Sequence, residues 1–457
     1  MKTIDIGAVL DEGDWSGYQK LLVFGTALAI ILDGLDNQVL GAAVPALMRE
    51  WGLPRPAFAS VLASGMFGMM VGGAFGGFIG DRVGRRIALI GSVLSFGVLT
   101  VLVSFAGSVG ALGVLRFFAG LGLGGAMPNA AALSSEYVPR RHRAFAVTAT
   151  IVCIPLGGTL AGLMGAEILP RYGWRTLFLA CGIVPLVLAA ILWQLLPESP
   201  RYLARSRERW RELVALLRRL GHDIPADAVF EDAREKAVSQ ASLGQLFVPE
   251  FRRDTLTLCG SFFFCLLTVY IGTNWVPSLL TSAGFSVADA SNGLTAYNLG
   301  GVVGAILGAL IIGRLGSRFT MLVMSAGAVA GSIVLASVTI GGQSVVSVLA
   351  MLAWTGGLIN AVQTTMYALA AHVYPTGIRG TGVGTAVAFG RVGGVAAPYA
   401  GSWALDAGGA PRLFALMAAT MTVVFASLAS VRNHIPRPHA ADVSVPVPDS
   451  VSVKSRL

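Results

Sequence analysis

The chain has 457 residues, with 33 Lys and Arg, 24 Asp and Glu, 54% hydrophobic residues and 58 glycines. Charged residues make up only 12%, about half of what soluble domains carry, so soluble domains of this combined length would lack the polar surface to cover themselves. A net charge of +9 suits nucleic acid only when bases cluster on a wettable face; here they fall between apolar runs, so no nucleic acid is expected and the lipid bilayer is the solvent.

In chain order, a polar tail over 1–18 is followed by apolar runs of about 20 residues, each long enough to cross about 30 Å of hydrocarbon as helix. They lie at 19–42, 58–80, 87–107, 109–132, 145–168, 175–196, 255–280, 292–313, 319–340, 345–370, 381–404 and 412–431. The fold class is therefore an all-α membrane protein of twelve transmembrane helices. The tail before the first run holds Asp5, Asp11, Glu12 and Asp14, and no small-residue cleavage site follows, so the run reads as an uncleaved helix.

Basic residues stay on the cytoplasmic side of a membrane. With both termini inside, Arg49, Arg55, Arg171, Arg175 and Arg412 alone fall outside, Arg116 and Arg391 fall within spans, and the other 26 of the 33 bases are inside. The expected location is the bacterial inner membrane. Residues 197–254 carry 11 bases and 10 acids, enough to divide the helices six and six. The Arg/Glu-rich part around Arg205 to Leu220 predicts a surface helix within a solvated connector. The organisation is then a tail over 1–18, a six-helix bundle over 19–196, the connector over 197–254, a second bundle over 255–431, and a tail over 432–457 whose polar, Pro-containing composition predicts disorder.

The bundles look like copies. Gly80-Asp81-Arg82-Val83-Gly84-Arg85-Arg86 after the second span is echoed by Ile312-Gly313-Arg314-Leu315-Gly316-Ser317-Arg318 after the eighth, an offset of 232. Pro139 with Arg143 after the fourth is echoed by Pro375 with Arg379 after the tenth, an offset of 236. A duplicated six-helix unit is a transporter architecture, with the site between the copies near the midplane.

On these features the sequence resembles the major facilitator superfamily over nearly its whole length. The carrier segment is Gly77-Phe78-Ile79-Gly80-Asp81-Arg82-Val83-Gly84-Arg85-Arg86, which in that family is a gate-side latch; Gly313 replaces Asp81 in the second copy. A narrower resemblance is to its aromatic acid:proton symporters, near the hydroxyphenylpropionate or hydroxybenzoate transporters. It rests on Asp33-Gly34-Leu35-Asp36, Gly120 to Gly125 with Pro128-Asn129, Ser135-Glu136, Asn274-Trp275 with Pro277, Tyr374-Pro375-Thr376, and Gly380-Thr381-Gly382-Val383-Gly384 leading to Gly390-Arg391. The segment Pro197-Glu198-Ser199-Pro200-Arg201 is shared with sugar porters and so is unspecific. The resemblance implies import of a small aromatic carboxylate with protons by alternating access, in a monomer with no cofactor besides the proton. A non-aromatic organic-acid or sugar porter and a transporter-like nutrient sensor are the alternatives.

Charge at a bilayer centre costs about 2.5 to 3.5 kcal/mol per residue on insertion scales, so each case needs a reason. The clear cases are Asp33, Asp36, Arg116 and Arg391. Asp33 and Asp36 stand three apart on one helix, and neighbouring carboxylates resist joint ionisation, which suits a proton-coupling pair; a packing salt bridge to Arg116 is the competing role. Arg116 is the expected coupling partner of that pair. Arg391, among glycines, offers a planar fork of donors to a substrate carboxylate, unless an interhelical acid claims it. Glu136 with Arg143, and Arg379, are gating candidates by resemblance, along with Gly80, Asp81, Arg82, Gly84, Arg85 and Arg86.

An aromatic ring needs apolar walls with a few polar tips. Asn274, Trp275, Tyr297, Gln363, Tyr367 and Phe389 are the candidates, each also able to serve as a packing residue. No phosphate-binding lysine follows the glycine runs, no metal-ligand spacing joins Cys153, Cys181, Cys259 and Cys265, and no nucleophile, base and orienter set occurs, so an enzyme is not expected.

Overall fold

A computed structural model describes residues 3–12, 15–222, 224–225, 228–231, 243–375 and 377–437. Lys2, Asp14, Thr376, the stretch 232–242 of the connector and the tail from 438 lie outside the described residues. Among the described residues ten helices are long and apolar enough to cross a membrane, and two of these turn back on themselves. The membrane helices are α1 (Gly17–Trp51), α2 (Arg55–Val83), α3 (Arg85–Val103) and α4 (Val109–Tyr137). Arg143–Leu195 breaks at Gly173, whose φ of 77° favours glycine, into α5 and α6. Then follow α7 (Pro249–Ser282), α8 (Val287–Leu315), α9 (Ser317–Ser337) and α10 (Val345–Val373). Arg379–Ser430 breaks at Gly408 and Gly409 into α11 and α12. Twelve crossings result, and the chain is a multi-pass membrane protein.

Local chemistry sets the ends. Ser16 and Gln19 form a capping box at α1, and Ser108, Ser286 and Ser344 each accept a backbone N–H at the starts of α4, α8 and α10. α1 runs well past the expected end at 42. Its last turn carries Arg49 and Glu50, and Glu50 accepts hydrogen bonds from Trp174 and Arg175, both at 2.6 Å, so a charged turn is paired rather than unwound.

Repetition is visible in the packing. In the first bundle a methyl on Gly68 or Gly72 of α2 would lie 2.1 Å from the carbonyl oxygen of Phe117 or Leu121 of α4. In the second, a methyl on Gly300 or Gly304 of α8 would lie 2.0 or 2.3 Å from the carbonyl oxygen of Ala353 or Gly357 of α10. The two pairs of helices are thus packed by the same glycines, at sequence offsets of 232 and 236. Small residues let backbones approach where lipid gives no hydrophobic incentive.

The face bearing the Asp81 loop, called the basic face, also carries both described ends. There the chain departs from expectation twice. Thr3–Asp5 pairs in parallel with Val229–Glu231, and Ile6 and Leu10 bury against Leu213, Leu217 and Phe230 around the helix Trp210–Arg219. The described part of the central segment up to Glu231 is therefore a small cap with its own core rather than a solvated connector, because its helix has an apolar side that the N-terminal segment covers. Arg143 donates to Asp11, and Trp15 stacks on His142 at 4.8 Å, joining this cap to the start of α5.

The tail is the second departure. Residues 432–437, expected to be disordered, are strapped to the second bundle. Arg432 and Asn433 donate their N–H groups to Asp254 at 2.8 and 3.3 Å, Ser317 and Ile435 exchange bonds at 3.0 and 2.9 Å, and Arg437 donates to the Leu315 carbonyl at 3.0 Å. The first bundle is fastened at the same place, with the Arg86 N–H on Glu198 at 3.0 Å and the Tyr202 hydroxyl on the Arg82 carbonyl at 3.0 Å. The strap is a third echo: Pro436-Arg437 repeats Pro200-Arg201 at an offset of 236.

Candidate functional site

The bundles meet along α1 with α7, α2 with α11, and α5 with α8. Away from the basic face this seam is closed. Gly41 of α1 abuts the Thr273 carbonyl of α7, Gly162 of α5 abuts Thr295 of α8, and Gln38 of α1 and Asn298 of α8 exchange amide hydrogen bonds. At the rim, Arg55 of α2 bonds Asp406 at the end of α11 at 3.2 Å and Ser282 of α7 at 2.6 Å. Toward the basic face the seam widens into a vestibule of about 600 Å³ among α2, α4, α10 and α11.

Beneath the vestibule lies a small chamber of about 40 Å³, room for only a few waters. Arg391 and Tyr367 line both spaces. Gly73 leaves room for the guanidinium, since a methyl there would lie 3.3 Å from its central carbon, and Arg391 donates to the Met69 carbonyl at 3.2 Å across the seam.

The two aspartates have separate surroundings. Asp36 is fully buried and accepts from Arg116 of α4 at 3.1 Å and from Thr100 of α3, while Arg116 also donates to the Asp36 carbonyl at 2.9 Å. This pair is fixed inside the first bundle. Asp33 faces the chamber with Arg391, and its Oδ1 is buried with no hydrogen-bond partner among the described residues. Asp36 thus stands in an ion pair within the first bundle, and Asp33 is the carboxylate left unmet.

Of the ring candidates, Gln363 and Tyr367 line the chamber, and Phe389 lines the vestibule wall while half exposed. Asn274, Trp275 and Tyr297 do not line it: Trp275 donates to the Pro398 carbonyl at 3.0 Å within the second bundle, Tyr297 packs on Gly272 and Gly356, and Asn274 is buried beside Gly41. Two polar chamber residues escaped the sequence reading, Asn37 of α1 and Tyr270 of α7. Asn37 follows Asp36 directly, which was its only signal.

The gating candidates other than Arg379, which opens α11 of the second bundle, cluster on the first bundle. Asp81 pairs with Arg85 at 2.7 Å, Arg82 lies over the Phe78 ring at 4.1 Å, and Gly84, with φ 111°, passes against Glu198. A methyl on Gly80 would strike Asn129 of α4. Ser199 donates to Glu136, Arg143 donates to the Ser135 carbonyl at 2.7 Å, Arg379 donates to the Tyr374 carbonyl at 3.3 Å, and Arg86 reaches the Trp193 carbonyl.

A description of the Major Facilitator Superfamily matches residues 26–398. The chain belongs to that superfamily. Its relatives include a gallate transporter of Pseudomonas putida, 34% identical with 90% of this chain and 93% of the relative covered, and the 4-hydroxybenzoate transporter PcaK of the same organism, 33% identical with 89% and 91% covered. The 3-(3-hydroxy-phenyl)propionate transporter of Escherichia coli is 32% identical, with 84% and 86% covered. Among solved structures, a partially occluded inward open conformation of the xylose transporter XylE from E. coli superposes with a TM-score of 0.70 at 17% identity, with 90% and 97% covered. That likeness shows the fold alone. The superfamily member is a transporter rather than an enzyme, and the sequence resemblance to aromatic acid carriers agrees with its relatives.

Proposed function

We propose that this protein imports a small aromatic carboxylate of the benzoate, hydroxybenzoate or hydroxyphenylpropionate type together with protons. The observation that carries the reading is the placement of Asp33 and Arg391 on one chamber at the seam, beside the apolar side chains Leu123, Ile154 and Leu266. It draws on relatives named for gallate, 4-hydroxybenzoate and benzoate transport.

The cycle follows from charge. With Asp33 ionised, Arg391 has a carboxylate on its own chamber and little reason to take another. Once Asp33 takes a proton, the guanidinium fork is free for the substrate carboxylate, a bidentate charge-assisted contact in a site of low dielectric. Proton and substrate therefore favour each other's binding, which is symport. Asp36 and Arg116 hold α1 in place. The vestibule opens on the basic face, which we assign to the cytoplasm because most bases lie there, in the bacterial inner membrane with both termini inside. The chain acts as a monomer, the proton being its only coupling ion.

Uptake into proteoliposomes with and without an inward pH gradient tests this. Asp33→Asn should abolish gradient-driven accumulation while leaving substrate exchange, and Arg391→Lys should raise KM for aromatic acids. Unaltered accumulation by Asp33→Asn, or uptake competed by sugars instead of aromatic acids, would overturn the reading.

A further inference from the structure

The chamber holds more polar groups than a carboxylate and a proton require. Besides Asp33 and Arg391 it presents Asn37 of α1, Tyr270 of α7, and Gln363 and Tyr367 of α10. All four are neutral donors and acceptors, so none of them completes the charge balance between Arg391 and an acid. Their own bonding is poor. Asn37 Nδ2 and the Tyr270 hydroxyl stand 3.5 Å apart, beyond the usual 2.7 to 3.2 Å of an N–H···O bond. The structure gives the Gln363 amide and the Tyr367 hydroxyl no hydrogen bond among the described residues, although Tyr367 is held edge-on against Phe262 at 5.3 Å. Asn37 is buried and the other three are half-buried, so their polar tips are open to water or to a ligand in the chamber. A cluster of this kind is a receptor for a polar atom delivered by the ligand.

Resting on the aromatic acid reading above, we infer that Gln363, with Tyr270 and Asn37, reads a ring hydroxyl and sets the protein's preference for hydroxylated over unsubstituted aromatic acids. A phenolic O–H can donate to the Gln363 or Asn37 carbonyl oxygen and accept from the Tyr270 hydroxyl or the amide N–H groups. An unsubstituted ring offers these groups nothing and displaces the water that could serve them. Sites built to bond a substrate hydroxyl reject the analogue lacking it far more strongly than apolar pockets sort by size. The three readers come from α1, α7 and α10, so they converge only when the bundles are together. The hydroxyl is therefore recognised at closure, and the preference should appear in the efficiency of uptake.

The experiment is initial-rate uptake of labelled benzoate and its 2-, 3- and 4-hydroxy derivatives by wild type, Gln363→Leu and Tyr270→Phe, with each protein's abundance in the membrane measured. Wild type should favour at least one hydroxylated isomer over benzoate by about tenfold or more in uptake efficiency. Gln363→Leu should lower that ratio about tenfold through the KM of the hydroxylated acid, and Tyr270→Phe should lower it in the same direction while keeping the ring that packs the chamber. A wild type indifferent to the hydroxyl, or variants that lose benzoate and hydroxybenzoate in equal proportion, would overturn the inference and leave the transport reading standing. Absence of uptake of every aromatic acid by wild type would instead remove the reading beneath it. Should Gln363→Leu fail to reach the membrane, the Tyr270→Phe ratio decides alone.

Discussion

Gln38 and Asn298, 260 residues apart, exchange two hydrogen bonds across the seam, Asn298 Nδ2 to Gln38 Oε1 at 2.7 Å and Gln38 Nε2 to Asn298 Oδ1 at 3.2 Å. Both are buried, and the pair must part whenever the face away from the bases opens. Gln38→Leu leaves Asn298 Oδ1 without a donor in the closed form, while its Nδ2 keeps the Leu294 carbonyl at 3.0 Å, at a cost of about 1–3 kcal/mol. We expect that face to open more often, seen as faster labelling of a Ser291→Cys reporter by an impermeant thiol reagent in a background without the native cysteines. The double variant Gln38→Leu/Asn298→Leu should recover part of the closure. Slower labelling in the single variant would contradict this account.

Asp36 and Asp33 predict opposite responses. Removing the partner of a buried charge typically costs about 3–5 kcal/mol, so Arg116→Leu should sharply lower the yield and Tm of detergent-purified protein. Asp33→Asn breaks no hydrogen bond at Oδ1 and should leave Tm unchanged while transport coupling fails. Equal thermal losses would show that both carboxylates are structural.

Gly72 and Gly77 share a helix but not an environment. A methyl at Gly72 would meet the Leu121 carbonyl oxygen at 2.1 Å, whereas at Gly77 nothing lies within 4 Å. Gly72→Ala should lower Tm by forcing α2 from α4, while Gly77→Ala should be neutral or gain up to about 1 kcal/mol of helix propensity. Matching behaviour would mean that the α2–α4 contact is looser than described.

His434 gives the tail strap a pH dependence. Burial pushes its pKa below the usual value, with Arg318 and His372 acting in the same direction, and the Leu428 carbonyl and Asp254 opposing. The folded strap therefore favours the neutral ring: its stability is present above the ordinary histidine value and is lost as pH falls through the lowered one. A spin label on Asn433→Cys should be more mobile at pH 5 than at pH 7.5, and a His434→Gln background should lose the difference. Equal mobility at both pH values in the parent would refute it.

The sequence made the membrane spans legible because twenty-residue apolar runs have few other uses, and it exposed the duplication through charged loops. The Asp36–Arg116 partnership was legible too, since buried charges need company. What it hid were neutral side chains. Asn37, Gln38 and Tyr270 sit in apolar runs where hydropathy barely registers them, and their roles depend on contacts with residues more than 200 positions away. Arg55 and Asp406 were hidden differently: residues in loops inform orientation, while their pairing needs the two bundles in place. The ordered strap was missed because polar composition suggested disorder, although the Pro-Arg echo at 436 and 437 was there to be read.

That strap bears on how the protein is handled. Shortening the chain to end at Val431 would remove the groups that satisfy Asp254 and Ser317 and unfasten the start of α9, although every membrane helix would remain. A purification tag or fluorescent reporter placed beyond Arg437 avoids that damage, whereas one spliced directly after α12 would compete with the last six described residues for their place on the second bundle.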